Sequence, residues 1–166
     1  MALEGEAAAA AGRIVRTLTR RELTLALGES CTGGLIASLI TDVPGSSACF
    51  LGGVVAYANA AKIRLLGVPA ETLRDHGSVS EQTVVAMADG ARERFGADVG
   101  LGVSGVLGPG GGTESKPVGL VYLAATSGRA RLVRRFVWDG DRIENKRLSA
   151  RAALSLIEEL LAATDN

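Results

Sequence analysis

Apolar segments alternate with helical patterns along most of this chain, and the last two apolar segments follow each other directly. Strands joined through helices pair in parallel, whereas a direct hairpin pairs antiparallel. The sequence therefore predicts an α/β fold, a three-layer α/β/α sandwich whose mixed sheet is mostly parallel and carries an antiparallel strand. The predicted strands cover 23–28, 51–58, 98–105, 118–126 and 130–138, and the predicted helices 5–20, 32–43, 80–95 and 141–163, with short helical pieces over 60–76.

Length and composition exclude several classes of protein. The 166 residues fit one domain over 1–166. The 18 basic and 18 acidic residues cancel, which argues against a nucleic-acid binder that depends on phosphate contacts. One histidine and two cysteines without a C-x-x-C spacing make a metal site improbable, and we expect no cofactor. The composition permits a homodimer without requiring one.

The start of the chain bears on localisation. Its first ten residues, MALEGEAAAA, are acidic where a signal peptide is basic. No apolar run approaches the roughly 18 residues of a membrane-spanning helix. Two thiols in a chain without an export signal indicate a reducing compartment. We therefore expect a cytoplasmic protein without a membrane partner.

The segment GESCTGG, residues 28–34, follows the first predicted strand and opens a helix with two glycines. This arrangement presents Ser30 at the carboxyl edge of the sheet, near helix N–H groups that can hold an anion or an oxyanion. It is similar to the nucleophile elbow G-x-S-x-G, with Thr32 in place of the last glycine. Two alternatives stay open: Ser30 or Thr32 only caps the helix, or Cys31 is the nucleophile.

A nucleophilic serine needs a base. The single histidine, His76, lies in a predicted loop, where it is expected to be exposed. A desolvated lysine is the other option, because burial lowers the pKa of an amine toward neutrality. Tyr57 and Lys62 follow the second strand. Their residue types alone fit either a proton-transfer pair or a surface lysine on a short helix.

The glycine loop GPGGGTESKP, residues 108–117, is rich in exposable N–H groups but lacks the G-K-[ST] ending of a phosphate-binding P-loop. We predict that its glycines Gly108 and Gly111, together with Thr32 and Gly33, contribute to a substrate site; the alternative is that 108–113 is only a tight loop. The G-x-G-x-x-G spacing of 100–105 lies inside a strand, so it does not indicate a dinucleotide site.

The last helix starts with Arg142, where a cation opposes the helix dipole. This placement favours another use, such as holding a phosphate together with Lys146, which lies on the same helix face. The four arginines of the hairpin over 129–135 are expected to form a solvated face. Alternatively, the arginine density over 129–151 supports a nucleic-acid site.

Several of these segments together resemble the CinA C-terminal family, the nicotinamide-nucleotide amidases. The similarity extends from about residue 10 to 160. The matching segments are ESCTGG (29–34), PGSS with Phe50 (44–47 and 50), GGVVAYANAAK (52–62), LLGV (65–68), HGSVSE (76–81), SGVLGPGGGTESKPVG (104–119) and GDR (140–142).

The resemblance implies an activity: hydrolysis of nicotinamide mononucleotide to nicotinate mononucleotide and ammonia, without a metal. It implies Ser30 as nucleophile and Tyr57 and Lys62 as proton-transfer partners. Ser47, Ser104 and Arg142 would line the substrate site, and whether Arg142 or Lys146 holds the phosphate stays open. The small-molecule partner would be a nucleotide. The competing hypothesis is a non-catalytic nucleotide- or DNA-binding module linked to competence or DNA repair, whose binding would not depend on Ser30.

Overall fold

The structure, a computed structural model, describes residues 2–164, with side chains from Gly5 onward. The predicted domain over 1–166 includes Met1, Asp165 and Asn166, which lie outside the described residues. The helices are α1 (Ala2–Arg20), α2 (Leu35–Thr41), α3 (Asn59–Leu66), α4 (Ala70–His76), α5 (Glu81–Phe95) and α6 (Arg142–Ala163), with a 3-10 turn at Ser46–Ala48. The strands are β1 (Leu25–Glu29), β2 (Phe50–Val55), β3 (Val99–Gly105), β4 (Leu120–Ser127) and β5 (Arg131–Val137).

The five strands form one mixed sheet in the order β2-β1-β3-β4-β5. β1 lies between β2 and β3 and is parallel to both. β4 is antiparallel to β3 and to β5, so it is the strand that runs against the others. Helices separate the first three strands along the chain, whereas β3, β4 and β5 follow one another without a helix. The predicted sandwich with a mostly parallel sheet is therefore confirmed.

Two helical layers cover the sheet. α1, α2 and α6 enclose the larger apolar core, and α5 with α3 packs on the opposite face. The helix faces predicted from spacing are buried, as Leu18 and Leu154 illustrate. Truncating either of them to Ala is expected to cost about 2–5 kcal/mol of stability. Over residues 2–164, no helix has both the length and the apolar character needed to cross a bilayer.

Glycines let α5 lie directly on the sheet. A Cβ at Gly100 would come within 2.2 Å of the Ala88 carbonyl oxygen, and one at Gly102 equally close to that of Val84. The G-x-G-x-x-G spacing over 100–105 thus serves helix–sheet contact. The prediction that it is no dinucleotide motif agrees with this packing.

The first crossover differs from its prediction. The helix predicted over 32–43 begins only at Leu35. Gly33 and Gly34 have φ values of 60° and 94°, a left-handed conformation that interrupts a right-handed helix and is cheap only for glycine. Residues 31–34 consequently form a turn, and this turn follows Ser30 at the end of β1.

Candidate active site

Ser30 lies at the carboxyl edge of the sheet, directly after β1, as predicted. Its backbone N–H donates to the carbonyl of Val103 at 3.0 Å, and its carbonyl accepts from the N–H of Gly33 at 3.1 Å. The residue is 7 % exposed. The end of β1 and the following turn therefore fix the backbone of Ser30 while its hydroxyl reaches the cleft described below.

The side chain of Lys62, from the helix that follows β2, contacts Ser30. It lies on α3, which follows β2, and it is only 1 % exposed. Its Nζ lies 3.0 Å from Oγ of Ser30, 2.9 Å from the carbonyl oxygen of Ala56 and 3.1 Å from that of Tyr57. The alternative of a surface lysine is wrong, because the parallel β1–β2 pairing directs α3 over the end of β1.

Burial shifts the pKa values of Lys62 and of Cys31, and both shifts bear on whether Ser30 is the nucleophile. Removal from water lowers the pKa of Lys62, against a smaller opposing contribution from Cys31. Desolvation likewise raises the pKa of Cys31 to about 12. A thiol with so high a pKa stays protonated and is a poor nucleophile. Of the two adjacent candidates, the environment thus favours Ser30.

Glu29 organises the turn, and the sequence analysis did not single it out. Its carboxylate is buried and accepts bonds from the N–H groups of Gly34 and Ala37 at 2.9 and 2.8 Å. It also accepts from Oγ1 of Thr32 at 2.7 Å. A carboxylate satisfies the free N–H groups and the positive end of a helix N-terminus. An acidic residue in an otherwise apolar strand was the signal available in the sequence.

These bonds correct two predicted roles. Thr32 is buried, and its hydroxyl donates to Glu29 rather than facing the cleft. Neither Ser30 nor Thr32 caps α2, because the N-cap residue of that helix is Gly34, which has no side-chain cap bond. The N–H of Gly33 is already bonded to Ser30, which takes it out of the set of free donors. Cys31 and Thr32 remain as sources of backbone N–H groups beside Ser30.

Tyr57 and Arg142 form the rim of the cleft. Arg142 begins α6, as predicted, and donates to the hydroxyl of Tyr57 at 2.9 Å and to the carbonyl of Gly108 at 2.7 Å. Gly108 thus offers the site an acceptor that orients Arg142, where donors were predicted. Tyr57 is 60 % exposed. The structure therefore joins residues 57, 108 and 142 from three separate segments.

The remaining candidates divide between the cleft and other places. Ser104 lines the cleft and donates to the carbonyl of Ser78 at 2.7 Å. Gly111 lies in the exposed part of its loop and does not line the cleft. Ser47 belongs to the turn before β2, at the amino edge of the sheet and away from Ser30. His76 is exposed at the end of α4, as expected.

The cleft itself has a volume of about 140 Å³. Small-molecule sites usually measure about 300–1,000 Å³, so this cleft accommodates one ring or a small acyl group rather than a whole nucleotide. Its lining is mostly polar and comprises Ser30, Cys31, Tyr57, Lys62, Ser78, Val79, Ser104, Gly105, Leu107 and Arg142.

Comparison with known sequences identifies the family. Residues 7–161 match the CinA C-terminal domain. The chain belongs to the CinA C-terminal domain family. It is 49 % identical over 144 residues to a putative competence-damage inducible protein of Desulforudis audaxviator, covering 87 % of this chain and 35 % of that protein. It is 51 % identical over 146 residues to a CinA-like protein of Chlorobaculum tepidum, covering 85 % and 34 %. The chain thus spans about a third of the length of these relatives.

Solved structures share the fold. The competence/damage inducible protein CihA from Agrobacterium tumefaciens is 41 % identical with a TM-score of 0.91, over 93 % of this chain and 95 % of that one. The competence damage-inducible protein A from Klebsiella pneumoniae is 33 % identical with a TM-score of 0.92, over 96 % and 99 %. The chain is therefore a CinA-family protein of the competence-damage inducible type.

Proposed function

We propose that this CinA-family chain is an amidohydrolase that converts nicotinamide mononucleotide into nicotinate mononucleotide and ammonia. The observation that carries the proposal is the 3.0 Å contact between Oγ of Ser30 and the buried Nζ of Lys62. A hydroxyl beside a desolvated amine is a nucleophile beside its base. The choice of substrate rests on the family resemblance of the motifs that contain these residues.

The surroundings of Lys62 suit a neutral amine. A neutral amine has two N–H donors and one lone pair, and Nζ has three neighbours. The two N–H groups can serve the carbonyls of Ala56 and Tyr57, which accept only, while the lone pair faces the hydroxyl of Ser30. The lowered pKa of Lys62 supports this assignment, because it raises the fraction of the amine that is free to accept a proton.

The reaction proceeds in two halves. Oγ of Ser30 attacks the carboxamide carbon while Lys62 accepts the hydroxyl proton and passes it to the departing nitrogen. The C–N bond breaks, ammonia leaves, and the acyl group remains esterified to Ser30. Water then attacks the ester while Lys62 takes one of its protons. The C–O bond to Ser30 breaks as Lys62 returns that proton to Oγ, and the carboxylic acid that leaves gives up its own proton to water and becomes the carboxylate.

The turn after Ser30 supplies the stabilisation of the oxyanion. The backbone N–H groups of Cys31 and Thr32 lie beside the nucleophile, and Glu29 holds the turn that carries them. Donors fixed in advance cost no reorganisation during the reaction, and each is worth about 10²–10³ in turnover. Glu29 is thus a positioning residue.

Cations near the rim suit the phosphate of the substrate. Arg142 bonds to the hydroxyl of Tyr57, and the amine of Lys146 lies 3.3 Å from where a Cβ on Gly33 would stand. Both side chains can reach an anion held outside the small cleft. Tyr57 joins the rim to the pair, since its carbonyl bonds to Lys62. Ser104 orients the carboxamide or the ribose.

The direct test is ammonia release from nicotinamide mononucleotide, measured with a chelator present. Wild type is expected to release ammonia, and Ser30→Ala to lose at least about 10³-fold in kcat, as nucleophile removal does in serine hydrolases. Ser155→Ala, an exposed position on α6, is the matched control and should retain full activity. Normal turnover by Ser30→Ala would contradict the proposal.

A further inference from the structure

The buried face of α6 carries two polar side chains near its start. Of the nine buried residues on this helix, only Asn145 and Ser149 are polar, and both are 0 % exposed. The N-terminus of α6 does not need them as a cap, because the carboxylate of Asp141 already accepts from the N–H of Glu144 at 2.9 Å. A buried amide must find hydrogen-bond partners that an apolar side chain would not need. The partners of Asn145 therefore show what it does beyond packing and capping.

The side-chain amide of Asn145 joins two segments at the start of α6. Its Nδ2 donates to the carbonyl of Leu107 at 3.1 Å, and its Oδ1 accepts from the N–H of Gly140 at 3.0 Å. These segments offer one acceptor and one donor, and the amide group supplies the complement of both. An ionised carboxylate of the same shape would match only Gly140, and a leucine of similar shape would match neither.

Both segments lead to groups that hold Arg142. Leu107 lines the cleft and precedes Gly108, whose carbonyl accepts from Arg142 at 2.7 Å. Gly140 lies two residues before Arg142, so its bond to the amide fixes where the chain enters α6. The guanidinium is thereby held between Gly108 and the hydroxyl of Tyr57, which accepts from it at 2.9 Å. One buried amide thus fixes both the base of the Arg142 side chain and the carbonyl on which it rests.

We propose that Asn145 is a positioning residue that holds Arg142 at the rim of the cleft, ready to bind the phosphate of the substrate. Asn145 is fully buried and does not itself line the cleft. A long cationic side chain that is fixed in advance loses less conformational entropy when it binds an anion. The effect on binding rests on the proposed amidase function, whereas the effect on the bond between Arg142 and Tyr57 does not.

The position of Arg142 is measured by NMR of the chain labelled with carbon-13 at Cζ of tyrosine, since this chemical shift responds to a hydrogen bond at the phenol oxygen. The chain has only two tyrosines. Tyr122 therefore serves as the internal reference, and Tyr57→Phe assigns the two signals. Asn145→Leu should move the Tyr57 signal to the position that it has in Arg142→Met. A Tyr57 signal at the wild-type position in folded Asn145→Leu would overturn the proposal.

A double-mutant cycle with Arg142→Met separates positioning from a loss of stability. In the wild-type background, Asn145→Leu should lower kcat/KM for nicotinamide mononucleotide by at least about fivefold, mainly through KM, as expected for coupling within one hydrogen-bond network. In the Arg142→Met background the same substitution should change kcat/KM by less than about twofold, because no guanidinium is left to position. Equal losses in both backgrounds, or wild-type kcat/KM in Arg142→Met, would contradict the proposed role.

Ser149→Ala is the matched control, because Ser149 is equally buried one turn further along α6. Its hydroxyl donates to the main-chain carbonyl of Asn145 at 2.7 Å and accepts from Nε1 of Trp138 at 3.0 Å. The variant therefore leaves the Asn145 amide in place. It should lower the urea midpoint of unfolding and leave the Tyr57 signal and kcat/KM unchanged. If Ser149→Ala shifts both as far as Asn145→Leu does, Asn145 has only a structural role.

Two further outcomes are distinguishable. If Asn145→Leu does not fold, Asn145→Ala removes the same two bonds without placing methyl groups against them, and it takes the same place in the NMR measurement and in the cycle. A wild type that releases no ammonia would contradict the proposed function. The Tyr57 signal would then still decide whether Asn145 positions Arg142.

Discussion

The two edges of the sheet differ in charge. β5, with the sequence RLVRRFV, carries three arginines, whereas β2 carries none. Arg131 pairs with Asp89 and Arg134 with Glu159. Charges of this kind prevent a strand from adding to the edge. The β5 edge is therefore closed to pairing, while the β2 edge is open and leads at its carboxyl end into the residues that surround Ser30.

The larger groove and the residues proposed to react also lie in different parts of the molecule. A groove of about 530 Å³ lies between α1, β5 and α6, beside the stacked rings of Phe136 and Trp138. Glutamates pair with the arginines that line it, as in Arg13–Glu158 and Arg151–Glu6. The smaller cleft near β2 holds Ser30 and Lys62, the proposed nucleophile and base, instead. The candidate active site is therefore indicated by the residues that line it rather than by its volume.

The largest effect is expected at the base. Lys62→Met should lower kcat by about 10²–10⁴-fold, because a positioned general base contributes that much. Methionine fills the buried space without supplying a lone pair to Ser30. Lys116→Met is the control, since Lys116 does not line the cleft and its amine bonds to the carbonyl of His76. Ammonia release by both variants decides this, and an active Lys62→Met would remove the base from the scheme.

The pH dependence sharpens the same assignment. The pKa of Lys62 is lowered, so kcat/KM should rise with pH through one ionisation below the ordinary lysine value of about 10.4. The slope below that ionisation should be about tenfold per pH unit. A pH–rate profile that is flat over this range would contradict a role for the neutral amine.

The same shift predicts a sign for stability. Between the lowered pKa and the ordinary value the unfolded chain binds more protons than the folded chain, so the free energy of unfolding should increase with pH. Below the lowered pKa the cost of charging Lys62 in the folded state is fully present. Urea unfolding at several pH values should show this dependence in wild type and not in Lys62→Met.

Arg142→Met should have an intermediate effect. The variant removes the bonds to Tyr57 and Gly108. Because a hydrogen bond to a charged group is worth about 1.5–3 kcal/mol, kcat/KM should fall roughly 10–150-fold. If Arg142 also holds the phosphate, KM should rise for the mononucleotide but not for the riboside. Lys146→Met, tested alongside, shows which cation has that role; unchanged KM values in both variants would leave the phosphate without a cationic partner.

The smallest effects are expected at the charged edge. Arg131→Ala and Arg134→Ala should each change stability by less than about 1 kcal/mol, the usual worth of an exposed ion pair. Activity should not change. Titration of a DNA duplex at several salt concentrations should detect no strong salt-dependent binding, because acidic partners already neutralise these arginines. Tight binding that these substitutions abolish would favour the nucleic-acid hypothesis.

The candidate site divides residues that local pattern reveals from residues that it does not. Ser30 was recognisable because a strand, a small polar residue and two glycines follow one another. Arg142 was recognisable because its charge opposes a helix start. Lys62 was ambiguous without the family resemblance, since an isolated lysine on a short helix is normally exposed. Glu29 was missed because its hydrogen-bond partners, such as the N–H of Ala37, reach its carboxylate only once the turn has folded.

The sequence alone determined the order of the elements, the buried faces of the helices, and the position of Ser30 at the end of a strand. These follow from periodicity and from the conformational limits of neighbouring residues, which are local properties. The tertiary structure decided that Lys62 is buried against Ser30, that Arg142 reaches Tyr57, and that Ser47 lies at the opposite edge. Those facts depend on which strands are neighbours, and strand order is set by packing between segments that are distant along the chain.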